Sequence, residues 1–179
     1  DFFKIGRTGL VHKIPGGSQK ESIKHKKAHI LMAHYDVVPA FQQEWDFPPF
    51  SGDVISTSQG DFIRGRGTLD TKGTLCAIME AVELKLKEGW VPKTDLYICF
   101  SGEEEISGDT TAEIVNYFKK QDISVDFVLD EGGAIVENAF PGVCKPCAMV
   151  GIAEKGFINM DIIIEGKAGH ASAPPKHSS

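Results

Sequence analysis

Three stretches of the chain are predominantly apolar and end abruptly in polar side chains: HILMAHYD (residues 29–36), DLYICFSG (95–102) and VDFVLDEGG (125–133). Short apolar runs closed by acids or glycine predict buried β-strands. Between the first two, TKGTLCAIMEAVELKLKEG places Leu75, Ile78, Met79, Val82 and Leu86 at helical spacing, with Gly89 as the stop signal. Between the second and third, TTAEIVNYFKKQ predicts a helix with Asp109 or Thr110 as its N-cap and lysines in its last turn. Strand and helix therefore alternate. The expected core is α/β, a mixed and largely parallel sheet flanked by helices.

The remaining segments are less regular. The first seventeen residues alternate strand-like pieces with turns, and QKESIKHKK (19–27) reads as a solvated hairpin or loop. AFQQEWDFPPFSGDV (40–54) is rich in proline and aromatic residues and predicts a long loop, and FIRGRGT a short strand entering a glycine turn. Near Ile152 the texture changes. CAMVGIAEKGFINMDIIIEGKAG alternates without an intervening helix, as an antiparallel hairpin of a smaller α+β domain would. The expected division is 1–152 and 153–179, the second part stopping soon after it begins, so the sequence reads as an N-terminal piece of a longer protein.

Composition narrows the function classes. The 179 residues are 41% hydrophobic and 25% charged, with a formal net charge of -6, which argues against a nucleic-acid partner. No apolar run is long enough to predict a membrane span. DFFKIGRTGLVHKIPGG lacks the pattern of a signal peptide, so a cytoplasmic location is the expectation, with secretion the alternative if a leader precedes it. Of the four cysteines, Cys76 and Cys99 lie in apolar periodic segments and predict buried thiols. Cys144 and Cys147 form a lone CxxC without a second pair or an adjacent histidine, and are read as structural rather than zinc-binding.

Each predicted strand or turn end carries hard ligands: His34 and Asp36, Asp70 in GRGTLDTKG, the Glu103–Glu105 run in SGEEEISG, and Asp130–Glu131. Taken singly, these read as a structural histidine, a helix cap, a solvated loop and turn chemistry. Taken together, four ends of an α/β sheet converge on one crevice. Ionised carboxylates disfavour one another, and a divalent cation relieves them. One imidazole among carboxylates suits zinc, with cobalt or manganese as alternatives, and two ions bridged by one carboxylate fit the ligand number. Side chains two apart on a strand share a face, so Asp36 is expected to hydrogen-bond the His34 imidazole.

The motifs AHYDVVPA, GRGTLDTKG, EEEISG, LDEGG and GHASAPP, in this order, resemble those of the di-zinc metallopeptidases that include aminoacylase, carboxypeptidase S and succinyl-diaminopimelate desuccinylase. DEGG, EKGFINM and GHASAPPK look closest to the carboxypeptidase S-like branch, which includes secreted N-fatty-acyl-amino-acid hydrolases. The resemblance implies a zinc exopeptidase-like catalytic domain followed by a lid or dimerisation domain, with homodimerisation through the lid. It implies zinc binding by His34, Asp70, Glu105 and an acid of the Asp130–Glu131 pair, Glu131 by alignment with aminoacylase. Asp70 would bridge both ions, with a cis peptide bond expected at Asp70–Thr71. Asp36 would support His34, Glu104 would be the general base, and His170 would reach substrate and stabilise the tetrahedral oxyanion. A last histidine ligand, which relatives supply far downstream, is not in this sequence, and the chain alone is expected to bind metal weakly and turn over little substrate.

The implied reaction is hydrolysis of an amide beside a free carboxylate, in a small peptide or an N-acyl amino acid. A non-catalytic metal-binding or scaffold protein of the same fold is the alternative, against which the retained Glu104 argues. A serine or cysteine hydrolase fits poorly, since no GxSxG elbow is present.

Overall fold

The computed structural model describes residues 1–17, 26–164 and 172. They fall into two compact units, Asp1–Gly132 and a second beginning at Gly133. The change of texture near Ile152 lies inside the second.

In the first unit the apolar runs become strands of one five-stranded sheet. β1 (Phe2–Ile5) and β2 (Gly9–Ile14) form an antiparallel hairpin, β3 is Lys26–His34, and a separate hairpin joins β4 (Asp53–Thr57) to β5 (Gly60–Arg64). Helix α1 (Gly73–Lys87) leads to β6 (Asp95–Ser101), and α2 (Thr110–Lys120) leads to β7 (Ile123–Leu129). The sheet order is β1-β2-β6-β3-β7, with β3 parallel to both β6 and β7 and β2 antiparallel to β6. The sheet is mixed and flanked by helices, as the periodicity predicts.

β6 is buried along its whole length, and its alternation divides the core. Tyr97 and Cys99 pack with Val11, Ile30, Ile114 and Phe118 on the α2 side. Leu96, Ile98 and Phe100 pack with Ala33 and Val82 on the α1 side. Each large apolar side chain so buried contributes about 1.5–3 kcal/mol. The chain steps from β3 to β6 on one side and back past β3 to β7 on the other, so crossovers of one hand place α1 and α2 on opposite faces. The parallel strands also run out at the same edge: β3 and β6 end level, with His34 opposite Ser101, and β7 ends at Leu129, opposite Leu31. The segments after β3, β6 and β7 thus leave the same edge of the sheet.

Several expectations are corrected. Cys99 is buried, and burial pushes its thiol up to about 12, but Cys76 is exposed. Helix α1 turns Leu75, Ile78 and Val82 to the sheet, leaving Met79 and Leu86 half-exposed along a groove with Phe2 and Ile14. Lys26 and Lys27, read as loop, already belong to β3, and residues 19–25 of that charged segment lie outside the described ones.

In the second unit, β8 (Ile135–Val136) and β9 (Cys147–Ala148) pair antiparallel. Of the hairpin predicted over residues 147–169, residues 149–164 have no regular secondary structure, and 165–169 lie outside the described residues. Ile158, Ile162, Ile163 and Ile164 are almost fully exposed. An alternating apolar pattern becomes a strand only when something covers its apolar face, and no described residue does so here.

Candidate metal centre

β3 ends at His34, whose side chain is 1% exposed. Its Nδ1 donates to the main-chain carbonyl of Asp36 at 3.0 Å, while the Asp36 carboxylate is 3.4 Å away. The expected side-chain hydrogen bond is therefore replaced mainly by a backbone one. Residue 36 lies beyond the strand, so the rule of side chains two apart no longer applies. The Asp36 carboxylate instead accepts the backbone N–H of Glu104 (3.2 Å) and of Glu105 (3.0 Å).

With its proton on Nδ1, the imidazole turns Nε2 toward the acids. Nε2 lies 2.9 Å from Asp70 Oδ1, 3.4 Å from Glu131 Oε1 and 3.9 Å from Glu104 Oε2. Two sets could each hold a cation: His34, Asp70 and Glu131, and His34, Glu104 and Glu105. In each, the ligand atoms lie within 4.8 Å of one another. Asp130 joins neither set, because its Oδ1 turns back to accept the N–H of Glu131 at 2.8 Å. His170 lies outside the described residues.

Local sequence explains how these side chains are delivered. Asp70 sits in an irregular turn, Thr68–Lys72, ahead of α1, and the Asp70–Thr71 peptide bond is cis, as expected from the resemblance. The turn follows Gly67, where a φ of 85° and Val37 Cγ1, which a Cβ would approach to 2.5 Å, disfavour any side chain. Lys72 Nζ donates to the Tyr35 carbonyl at 2.5 Å and Tyr35 N–H to the Ser101 carbonyl at 2.8 Å, tying the turn to β3 and β3 to β6.

A bare imidazole nitrogen and a carboxylate both present lone pairs, so a 2.9 Å contact between them requires positive charge in between, a proton or a cation. Burial pulls the His34 pKa down, yet the hydrogen bond to Asp70, the Asp36 carbonyl and the charges of Glu131 and Glu104 outweigh it and raise it. Burial also pushes up Glu104 and Glu131; His34 opposes this, and neighbouring acids add to it. Four carboxylates around one imidazole, held by separate parts of the chain, fit a divalent cation.

The support of the acidic loop was not foreseen from the sequence. Glu103, read only as the first acid of its run, is held by Arg7 and Thr110. Thr110 hydrogen-bonds Thr8, whose carbonyl accepts the Tyr35 hydroxyl at 2.7 Å. The hydrogen bond from Thr110, outweighing desolvation, and then Arg7 hold the Glu103 carboxyl below its usual range. No local pattern joins residues 7 and 103.

Comparison with known proteins supplies a family and a fold. The chain is 42% identical over 161 residues to the N-fatty-acyl-amino acid synthase/hydrolase PM20D1 of Bos taurus, covering 89% of this chain and 31% of that one. It is 34% identical over 185 residues to carboxypeptidase S of Saccharomyces cerevisiae, covering 98% of this chain and 30% of that protein. The chain thus spans about a third of the length of these curated relatives. In fold it is similar to human carnosine dipeptidase 1 (TM-score 0.54, 20% identity, 69% of this chain and 25% of that one). It is also similar to the dipeptidase Dug1p of Saccharomyces cerevisiae (TM-score 0.50, 23% identity, 76% of this chain and 29% of that one). Residues 30–176 match the family described as Peptidase family M20/M25/M40, and the chain belongs to that family.

Proposed function

We propose that the protein is a zinc-dependent hydrolase that cleaves an amide bond beside a free carboxylate, in an N-acyl amino acid, a dipeptide or the C-terminal residue of a peptide. The observation that carries this reading is the buried His34 imidazole ringed by Asp70, Glu104 and Glu131 at the common edge of three parallel strands. Membership of a peptidase family and relatives named as a carboxypeptidase and an acyl-amino acid hydrolase support the same reaction type.

In this reading His34, Asp70, Glu105 and Glu131 would hold the cations. When bound, such cations supply Lewis acidity for a water molecule and for the scissile carbonyl. Glu104, half-exposed on the acidic loop, takes a proton from the attacking water and passes it to the departing amine nitrogen. The Nδ1–H bond to the Asp36 carbonyl holds the His34 ring in the tautomer that keeps Nε2 for the cation. His170 keeps its proposed part as oxyanion donor, and the lid its part in dimerisation.

The test is a hydrolysis screen of the protein as its gene encodes it, against dipeptides, N-acetyl and N-fatty-acyl amino acids, with and without zinc. Glu104→Gln is expected to lower kcat by about 10²–10⁴-fold while bound zinc is unchanged. Turnover unaffected by Glu104→Gln overturns the mechanism, and no hydrolysis of any of these amides overturns the function.

A further inference from the structure

The three acids of SGEEEISG do not share one task. Glu103 Oε1 accepts from Arg7 Nε at 2.7 Å and from a second Arg7 nitrogen at 2.6 Å, and Oε2 accepts from the Thr110 hydroxyl at 2.5 Å. A hydroxyl has one proton. Since Thr110 gives its proton to Glu103, Thr8 is the donor in the 2.7 Å contact between the two threonines. The Thr8 hydroxyl in turn accepts the backbone N–H of Gly102 at 3.3 Å. The direction of the chain is thus set by the anion at its end: Gly102 N–H to Thr8, Thr8 to Thr110, Thr110 to Glu103. It starts and finishes on adjacent residues, closing a ring around the Gly102–Glu103 peptide.

The rest of the loop backbone is fastened as well. The Glu103 carbonyl accepts Gly108 N–H (2.9 Å) and the Glu104 carbonyl accepts Ser107 N–H (3.0 Å). The Asp36 carboxylate holds the next two amides, those of Glu104 and Glu105. The side chains at 104 and 105 are left facing His34. Gly108 leaves the room this needs, since a Cβ there would come within 2.5 Å of the Glu103 Cβ.

We propose that Glu103 is a positioning residue, its carboxylate clamped by Arg7 and Thr110 so that the loop holds Glu104 toward the water and Glu105 toward the cation. This rests on the function proposed above for Glu104 and Glu105. It assigns a purpose to the turn between β1 and β2, which carries Arg7 and Thr8 to a loop almost a hundred residues away in sequence. The Arg7 side chain is 76% exposed. An ion pair of that kind adds little to global stability, so its effect is local.

The decisive experiment is hydrogen exchange on the metal-free protein, with kinetics of the zinc-loaded protein beside it. Glu103→Gln and Thr110→Val are expected to speed amide exchange in residues 101–109 by about tenfold or more, leaving the rest of β6 and α1 as in the wild type. Both are expected to lower kcat by about tenfold or more, with KM within about twofold and bound zinc unchanged. Thr110→Ser, which keeps the hydroxyl, restores both readouts. Unchanged exchange in 101–109, acceleration spread over the whole sheet, or zinc lost in proportion to kcat would each overturn the clamp. A wild-type protein that hydrolyses no amide would remove the proposed function, while exchange in the metal-free protein would still judge the clamp.

Discussion

At the residue scale, buried charge is held in two ways. At the candidate metal centre His34 faces several acids, a set that could hold a cation. At the opposite end of β6, Asp95 is 1% exposed and its partners come from the chain itself: Gly16 N–H donates to Oδ1 at 2.9 Å and Lys13 Nζ lies 2.7 Å from Oδ2. Replacing Asp95 by Ala leaves a partly buried amide and a partly buried ammonium without this carboxylate. The expected loss is about 3 kcal/mol, read from the urea midpoint. Burial pulls the Lys13 pKa down, but its hydrogen bond to Asp95 and the nearby charges raise it above the ordinary 10.5. A raised lysine stabilises fully below 10.5, and its contribution fades as pH climbs through the native value above that. Wild type and Lys13→Met should therefore differ by a constant amount from pH 7 to about pH 10 and converge beyond it. Neither partner was singled out from the sequence, because an acid at the start of a strand looks the same whether solvated or paired. His34, Asp70 and Glu131 were legible because they close strands or turns, and Asp130 was separable from Glu131 only once its carboxylate was seen turning back.

At the element scale, the acidic loop depends on two glycines as much as on its acids. A Cβ on Gly102 would stand 2.5 Å from Tyr35 Cζ, and that ring is tethered through its hydroxyl to the Thr8 carbonyl. Gly102→Ala is therefore expected to destabilise the protein by about 1–3 kcal/mol, measured by urea unfolding, with Tyr35→Phe relieving part of the loss because the ring is then free to move. β3, α1, β6 and α2 were legible because each carries a period strong enough to fix its type. Which flank of α1 meets the sheet was not: Met79 and Leu86 fit the helical stripe as well as Val82 does, yet the crossover presents Leu75, Ile78 and Val82 instead. The order β1-β2-β6-β3-β7 was also beyond reach, since pairing partners far apart in sequence leave no mark in either segment. The same holds for the turn carrying Arg7 and Thr8. Residues 149–164 failed in the opposite sense: their alternation was real, but a strand also needs a neighbour, which local pattern does not supply.

At the scale of the whole molecule, the net charge of -6 and the crowding of acids on one edge of the sheet point the same way. Folding brings His34, Asp70, Glu104, Glu105 and Glu131 together from segments that are far apart in the unfolded chain. A cation that needs several of these ligands at once binds the native state and scarcely the unfolded one, so binding must stabilise. At a free zinc concentration about 100-fold above the dissociation constant the gain is about 2.7 kcal/mol. For a domain of this size that raises Tm by roughly 5–10 °C. Magnesium, which favours an octahedral shell of oxygens, gains less from the imidazole and is expected to shift Tm by a smaller amount at equal concentration. His34→Ala removes the ligand common to both candidate sets and should abolish most of the zinc shift, whereas Glu103→Gln, which touches neither set, should keep it. Differential scanning calorimetry of chelator-treated protein, titrated with each metal, measures all four quantities. A zinc shift no larger than that of magnesium, or one that survives His34→Ala, would mean that the acids gather at this edge for some purpose other than holding a metal.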